Sequence, residues 1–171
     1  MTSFFEVILK RRSIRKFRDQ EVEEDKIRKI VEAGIWAPSA GNMQPWVFVV
    51  VRNKKNIEKI KAMSPGMFDL PAVIIAVCRD MGLAGNFEEN ISIFDVAMAA
   101  QNMLLMACDL GLGACPVRSF NQKAVQVLLD LPEHIVPELL VTLGYPDESP
   151  SPPERRKGVV FLEKYGGDGW F

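Results

Sequence analysis

The stretch Ile91-Ser-Ile-Phe-Asp-Val-Ala-Met-Ala-Ala-Gln-Asn-Met-Leu-Leu-Met-Ala-Cys-Asp-Leu-Gly-Leu112 is the most helical part of the chain and is apolar on most of its sides. A helix that is hydrophobic nearly all round is buried, either in the centre of a fold or across a subunit interface. Gly111 and Gly113 end it, as glycines end many helices. Upstream, Glu24–Trp36 reads as a second helix with Ile27, Ile30, Val31 and Gly34 on one side, stopped by Pro38. Ser3-Phe-Phe-Glu6 is a capping box for a first helix with Phe4, Val7 and Ile8 on its apolar face. Asn53 and Asn121 are N-cap residues for helices carrying Ile57 and Ile60, and Val125, Leu128 and Leu129. Short apolar runs at Trp46–Val51, Ala72–Cys78, Glu138–Leu143 and Gly158–Leu162 read as strands. The irregular alternation of helices and strands predicts an α+β or α/β sandwich around one mixed sheet. Residues 1–171 form one domain in this reading.

The 171 residues carry 21 Lys plus Arg against 22 Asp plus Glu, a net charge of −1, with 48% hydrophobic residues. That is ordinary globular composition, which excludes a disordered tail, a collagenous repeat or a disulfide scaffold. Apolar runs such as Ala72–Cys78 are too short to cross a bilayer. No basic segment precedes an apolar core at the start, so no signal peptide is expected. Cys78, Cys108 and Cys115 form no CxxC pair, and reduced thiols in the cytoplasm are the expectation. His134 is the only histidine. Multi-His metal sites and most His-dependent triads are thereby removed, and any chemistry relies on something the chain binds.

Four stretches carry candidate chemistry. In Lys10–Arg18, six of nine residues are Lys or Arg. The run reads either as a solvated helix end or as a compact site for one phosphate, whose oxygens guanidinium forks match in pairs. A nucleic-acid patch fits poorly, because five acids follow at once and no other basic stripe exists. Ala37–Trp46 packs a hydroxyl, two amides and two prolines into a loop entering a strand. It is a turn satisfied by its own side chains, or a set of paired donors and acceptors for a heteroaromatic ring edge. Gly111–Phe120 reads as a helix C-cap, or as backbone able to approach a ligand closely. Within it, Cys115 has no partner histidine nearby and reads as a small buried residue before a nucleophile. The last stretch, Pro152-Pro-Glu-Arg-Arg-Lys157, is a surface loop when taken alone.

Taken in order, these stretches resemble the nitroreductase-like family of FMN-dependent oxidoreductases. Arg11-Arg-Ser-Ile-Arg-Lys-Phe17 resembles that family's opening basic signature, and Pro38-Ser-Ala-Gly-Asn-Met-Gln-Pro-Trp46 its Pro-Ser-x-x-Asn-x-Gln-Pro-Trp motif. Asp95–Gln101 and Leu110-Gly-Leu-Gly113 are similar to its long central helix and the turn after it. Arg155-Arg156 matches a basic pair near its C-terminus. The resemblance implies a dimeric α+β fold with a central mixed, mainly antiparallel sheet flanked by helices. It implies FMN as cofactor at the subunit interface of a homodimer, and NADH or NADPH as electron donor.

Arg11, Arg12 and Ser13 would then contact the phosphate and ribityl chain, and Arg15 the pyrimidine side of the ring. Pro38, Ser39, Ala40, Asn42 and Gln44 would line the ring and ribityl region, often from the second subunit. Pro116, Val117, Arg118 and Ser119 would lie along the ring, and Arg155 and Arg156 would close over the phosphate. No side chain is expected to be catalytic and no metal is expected, since the cofactor carries the chemistry. The implied reaction passes a hydride from NAD(P)H through flavin N5 to a small acceptor, such as a nitroaromatic or quinone, in ping-pong order. Alternatives on the same fold are reductive dehalogenation, flavin breakdown, or flavin storage without turnover. Arg118 stands where some relatives carry an acid, and Met63–Phe68 is positioned to shape the pocket.

Overall fold

Four strands make one sheet, and the residues that form them explain which faces they bury. The computed structural model describes residues 3–83 and 91–169. In chain order the elements are α1 (Phe4–Lys10), α2 (Glu24–Ile35), a 3-10 turn (Ala40–Asn42), β1 (Trp46–Val51), α3 (Lys54–Ala62) and β2 (Val73–Asp80). They continue with α4 (Ile91–Asp109), β3 (Gly113–Val117), α5 (Gln122–Leu128) and β4 (Ile135–Gly144). The sheet order is β1-β2-β4-β3. The expected capping side chains are in place, with Ser3 and Glu6 closing a capping box and Asn53 and Asn121 accepting from the third residue beyond them.

β2 is a nearly unbroken apolar run because both of its faces are covered, and alternate side chains of a strand point to opposite faces. Val73, Ile75 and Val77 join Val141, Leu143 and the buried residues of α2 and α4 in one core. Ile74, Ala76 and Cys78 join Leu140 and the buried faces of α3 and α5 in the other. α4 therefore packs on one face of the sheet, burying Val96, Ala99, Ala100, Met103 and Ala107. By length and composition this helix is long and apolar enough to span a membrane, with a mean hydropathy of 1.5 over its best window. The expectation that no apolar stretch reaches that length is thus corrected, although the buried side of α4 is spent on the sheet and α2.

Three further expectations are revised. Among the described residues the sheet is antiparallel at each strand pairing rather than mixed, with one parallel bridge, between Ser13 and Ala114. Gly113–Val117, within the stretch read as a helix C-cap or a ligand-approaching backbone, is an edge strand, where proline costs no ladder bond when its nitrogen faces outward. Gly158–Leu162 is not a strand: Phe161 makes one bridge to Gly169, and most of the segment is exposed. An apolar run needs a partner ladder and a covered face to become a strand, and this one has neither among the described residues.

Candidate functional site

The basic run is held in an extended path across the β3 side of the sheet. Ser13 pairs with Ala114, and the Ile14 N–H donates to the Ala114 carbonyl at 3.0 Å. The carboxylate of Glu148 accepts from the N–H groups of Arg15 and Lys16, and Asp69 Oδ2 accepts from Phe17 N–H at 3.0 Å. Ile14 and Phe17 are buried, whereas Arg15, Lys16 and Arg18 between and beside them face solvent. The two apolar side chains rest on a pair of glycines. Gly113 and Gly144 face each other in the β3–β4 register. A Cβ on Gly113 would lie 2.7 Å from Ile14, and one on Gly144 would lie 2.7 Å from Phe17. Gly113→Ala should therefore push Ile14 off the sheet and destabilise the chain by about 1–3 kcal/mol, read by denaturant unfolding. An unchanged midpoint would mean that the seat is adjustable.

Arg12 is oriented by its own helix end, since its Nη1 donates to the carbonyls of Leu9 and Arg11 at 2.6 and 2.7 Å. Among the described residues the remaining N–H groups of that guanidinium have no acceptor, which leaves them for a ligand. Arg15, Cys115 and Val117 line one small recess together with Gly66, Met67 and Thr142. The structure thus brings the first and third candidate stretches together. Pro116, Arg118 and Ser119 are exposed beyond it, and Val117 is buried. The Met63–Phe68 segment also reaches this place: Gly66 N–H points to the Ser119 carbonyl at 3.4 Å, and a Cβ on Gly66 would collide with the Ser119 hydroxyl.

Arg118 is drawn toward the protein by Glu138, 3.8 Å away, and lies over the Phe120 ring. Glu138 in turn holds Arg79 at 2.9 Å in a buried ion pair. Burial pushes the Cys115 thiol above its ordinary range, which suits a packed residue and not a thiolate nucleophile. The same effect takes Cys78 up to about 12. Among the described residues no metal-ligating cluster is present.

The Pro38–Gln44 loop has an unusual backbone. Gly41, Asn42 and Gln44 have φ values of 56, 56 and 52°. Asn tolerates this left-handed region, but a Gln there, immediately before a proline, is strained. The Ser39 hydroxyl accepts from Gln44 N–H at 3.0 Å, and Gln44 Nε2 donates to Asn42 Oδ1 at 3.1 Å. The two amides therefore bond to each other, with Asn42 and Gln44 exposed and Ser39 and Ala40 half-buried. Strain of this kind persists where the surroundings over-determine it, and it collects at ligand sites. Arg155 and Arg156 are exposed. Among the described residues, no hydrogen bond or ion pair joins this loop or the Arg155–Arg156 pair to the basic run.

Residues 8–65 and 61–145 match the family model described as the nitroreductase family. The chain belongs to the nitroreductase family. It is similar, at 41% identity over 155 residues, to a Methanothermobacter thermautotrophicus protein named as an NADH dehydrogenase/NAD(P)H nitroreductase, with 85% of this chain and 78% of that one covered. A solved structure of a Bacteroides thetaiotaomicron protein of the same name superposes with a TM-score of 0.86 at 29% identity, covering 95% of this chain and 98% of that one. The NADPH:FMN oxidoreductase of Vibrio harveyi, solved in complex with NAD+, superposes with a TM-score of 0.85 at 26% identity over 95% and 77% of the two chains. The chain is thus an enzyme of the NAD(P)H nitroreductase and flavin oxidoreductase family, with its α+β fold.

Reading along the chain missed the groups that hold the candidate site in shape. Asp69 and Glu148 pin the basic run from 52 and 133 positions away, and Asp95 reaches the Pro38–Gln44 loop from 55 positions away. Only the resemblance, which covers Asp95, carried any signal for them.

Proposed function

We propose that this member of the nitroreductase family binds FMN and passes a hydride from NADH or NADPH to a small acceptor of the nitroaromatic or quinone class, in ping-pong order. The observation that carries the reading is the basic run bridged to β3 at Ser13–Ala114, with Arg15 in one recess with Cys115 and Val117. The donor set fits the group. Arg11, Arg12 and Ser13 offer guanidinium forks and a hydroxyl to a phosphate dianion, and Arg155 and Arg156 add charge from elsewhere. Arg15 sits to hold the negative charge that reduction places on the pyrimidine edge. Ser39, Ala40, Asn42 and Gln44, after Pro38, supply hydroxyl, amide and backbone groups to a ring edge. Pro116, Val117, Arg118 and Ser119 supply a wall. Bound FMN supplies the hydride transfer itself, so no side chain need act as acid or base.

A homodimer with FMN at the interface is part of the reading. Phe4 (70% exposed) and Trp36 (79% exposed) line one cleft with Leu105 and Met106, and a contiguous exposed apolar patch of this kind is characteristic of an interaction face. A second copy also supplies the loop and the C-terminal arginines that one chain leaves apart from the basic run. The whole chain acts in this as one flavin-binding unit. Its three free cysteines suit a reducing, cytoplasmic setting, and neither a nucleic acid nor a membrane is needed as partner.

The test is an anaerobic visible spectrum of the purified protein before and after NADH or NADPH. Flavin bands that bleach on addition, and return with a quinone or nitroaromatic, support the reading, and the faster nucleotide names the donor. A yellow protein that neither nucleotide bleaches is a flavin store or takes its electrons from another reductant, and overturns NAD(P)H as donor. A colourless protein whose melting temperature ignores added FMN overturns the cofactor assignment, because a ligand that binds only the native state must raise it.

A further inference from the structure

The strained turn at Ala40–Gln44 has to be held by something, and its hydrogen bonds lead to one buried side chain. Most of them are internal: Asn42 N–H donates to the Ser39 carbonyl, Met43 N–H to the Ala40 carbonyl, and Gln44 N–H to the Ser39 hydroxyl. Such bonds close the turn on itself without fixing where it sits. At its far end Asp80 N–H donates to the Pro45 carbonyl at 2.8 Å. At its near end Ala40 N–H donates to Asp95 Oδ1 at 3.2 Å. Asp95 lies on α4, the helix packed into the core, and is 2% exposed. Its other oxygen, Oδ2, is buried with no hydrogen-bond partner among the described residues.

A buried carboxylate with an unsatisfied oxygen is a poor choice for stability, since that oxygen keeps its desolvation cost. An apolar residue of similar size avoids the cost. Departures from local rules of this sort concentrate where function requires them. The short side chain on a rigid core helix is the shape that fixes a loop closely, because the helix itself cannot yield.

We propose that Asp95 is a positioning residue for the flavin site. It touches no ligand, and acts through the Ala40 amide by fixing from beneath the loop that presents Ser39, Asn42 and Gln44. This rests on the reading above, that the loop lines the flavin.

The test compares Asp95→Ala, Asp95→Asn and, as a control for general destabilisation on the same buried helix, Val96→Ala. Hydrogen exchange at the Asn42, Met43 and Gln44 amides is measured without added flavin, and FMN affinity by fluorescence quenching. Asp95→Ala should speed exchange at those amides by about tenfold or more and weaken FMN by about tenfold. Asp95→Asn keeps an acceptor for Ala40 and should restore both to within roughly threefold, with a melting temperature at or above that of the parent. Val96→Ala should lower the melting temperature and leave both readouts near the parent. If Asp95→Ala does not fold, Asp95→Leu replaces it, filling the space without an acceptor.

Parent-like exchange in Asp95→Ala overturns the proposal, as does equal acceleration in Val96→Ala. Faster exchange with unchanged FMN affinity overturns the role in the flavin site. A parent protein that does not bind FMN overturns the functional reading and the flavin role together, and the exchange data still decide whether Asp95 holds the loop.

Discussion

Replacing Arg12 by alanine is expected to weaken FMN binding by about 10- to 150-fold, measured by quenching of flavin fluorescence. A hydrogen bond to a charged group contributes about 1.5–3 kcal/mol, and each 1.4 kcal/mol is a factor of ten in affinity. Arg12 is chosen over its neighbours because the carbonyls of Leu9 and Arg11 already orient it. Little rotamer freedom is then lost when it engages a phosphate, which is the advantage of a group arranged in advance. Arg12→Lys separates charge from geometry. It keeps the cation but not the planar fork, so it should recover only part of the loss. Binding unchanged in Arg12→Ala would remove this residue from the phosphate site and return the basic run to the role of a solvated helix end.

Met103→Ala is expected to cost about 2–5 kcal/mol of stability, or roughly 4–20 °C in melting temperature for a chain of this size. Met103 is fully buried on α4 and packs against Gly34 of α2. A Cβ placed on Gly34 would collide with its terminal methyl and lie 3.3 Å from the Phe48 ring. Truncating the side chain leaves a gap that Gly34 has no atoms to fill. A double-mutant cycle follows from the same contact. Gly34→Ala alone should destabilise, whereas Gly34→Ala in the Met103→Ala background should regain stability, because alanine then fills the gap and favours the helix over glycine. Additive losses would show that the two positions do not share the space.

Both predictions depend on elements whose legibility in the sequence was uneven. The caps at Ser3, Asn53 and Asn121 were readable because a cap is a local hydrogen bond, decided within three residues. α4 was readable because its apolar pattern has no other stable home. β3 was not, since Gly113 and Pro116 carry turn signals. What makes the segment a strand is β4, whose last residue, Gly144, pairs with Gly113 from 31 positions away and admits Phe17. The opposite error occurred at Gly158–Leu162, where an apolar run lacked a partner.

Of the candidate site, the ligand-facing residues could be named from motifs, but not the groups that hold them. Asp69, Asp95 and Glu148 each act on a backbone amide more than fifty positions away, and no local pattern encodes such a pairing. The left-handed turn at Gln44 is equally silent, because a glutamine advertises no preference for it.

The strand order carries a consequence for how the molecule is made. β2 lies between β1 and β4, and Ile75 pairs with Val141. β1 and β2 can meet early in synthesis, but the middle of the sheet waits for a strand that emerges some sixty residues later. Until then β3 has no neighbouring strand, and the apolar side of α4 has only part of its cover. Ladders between distant segments form slowly, and half-finished sheets are prone to associate with one another. Assembly is therefore gated by the arrival of β4, and the interval before it is when the nascent chain most needs protection from its neighbours.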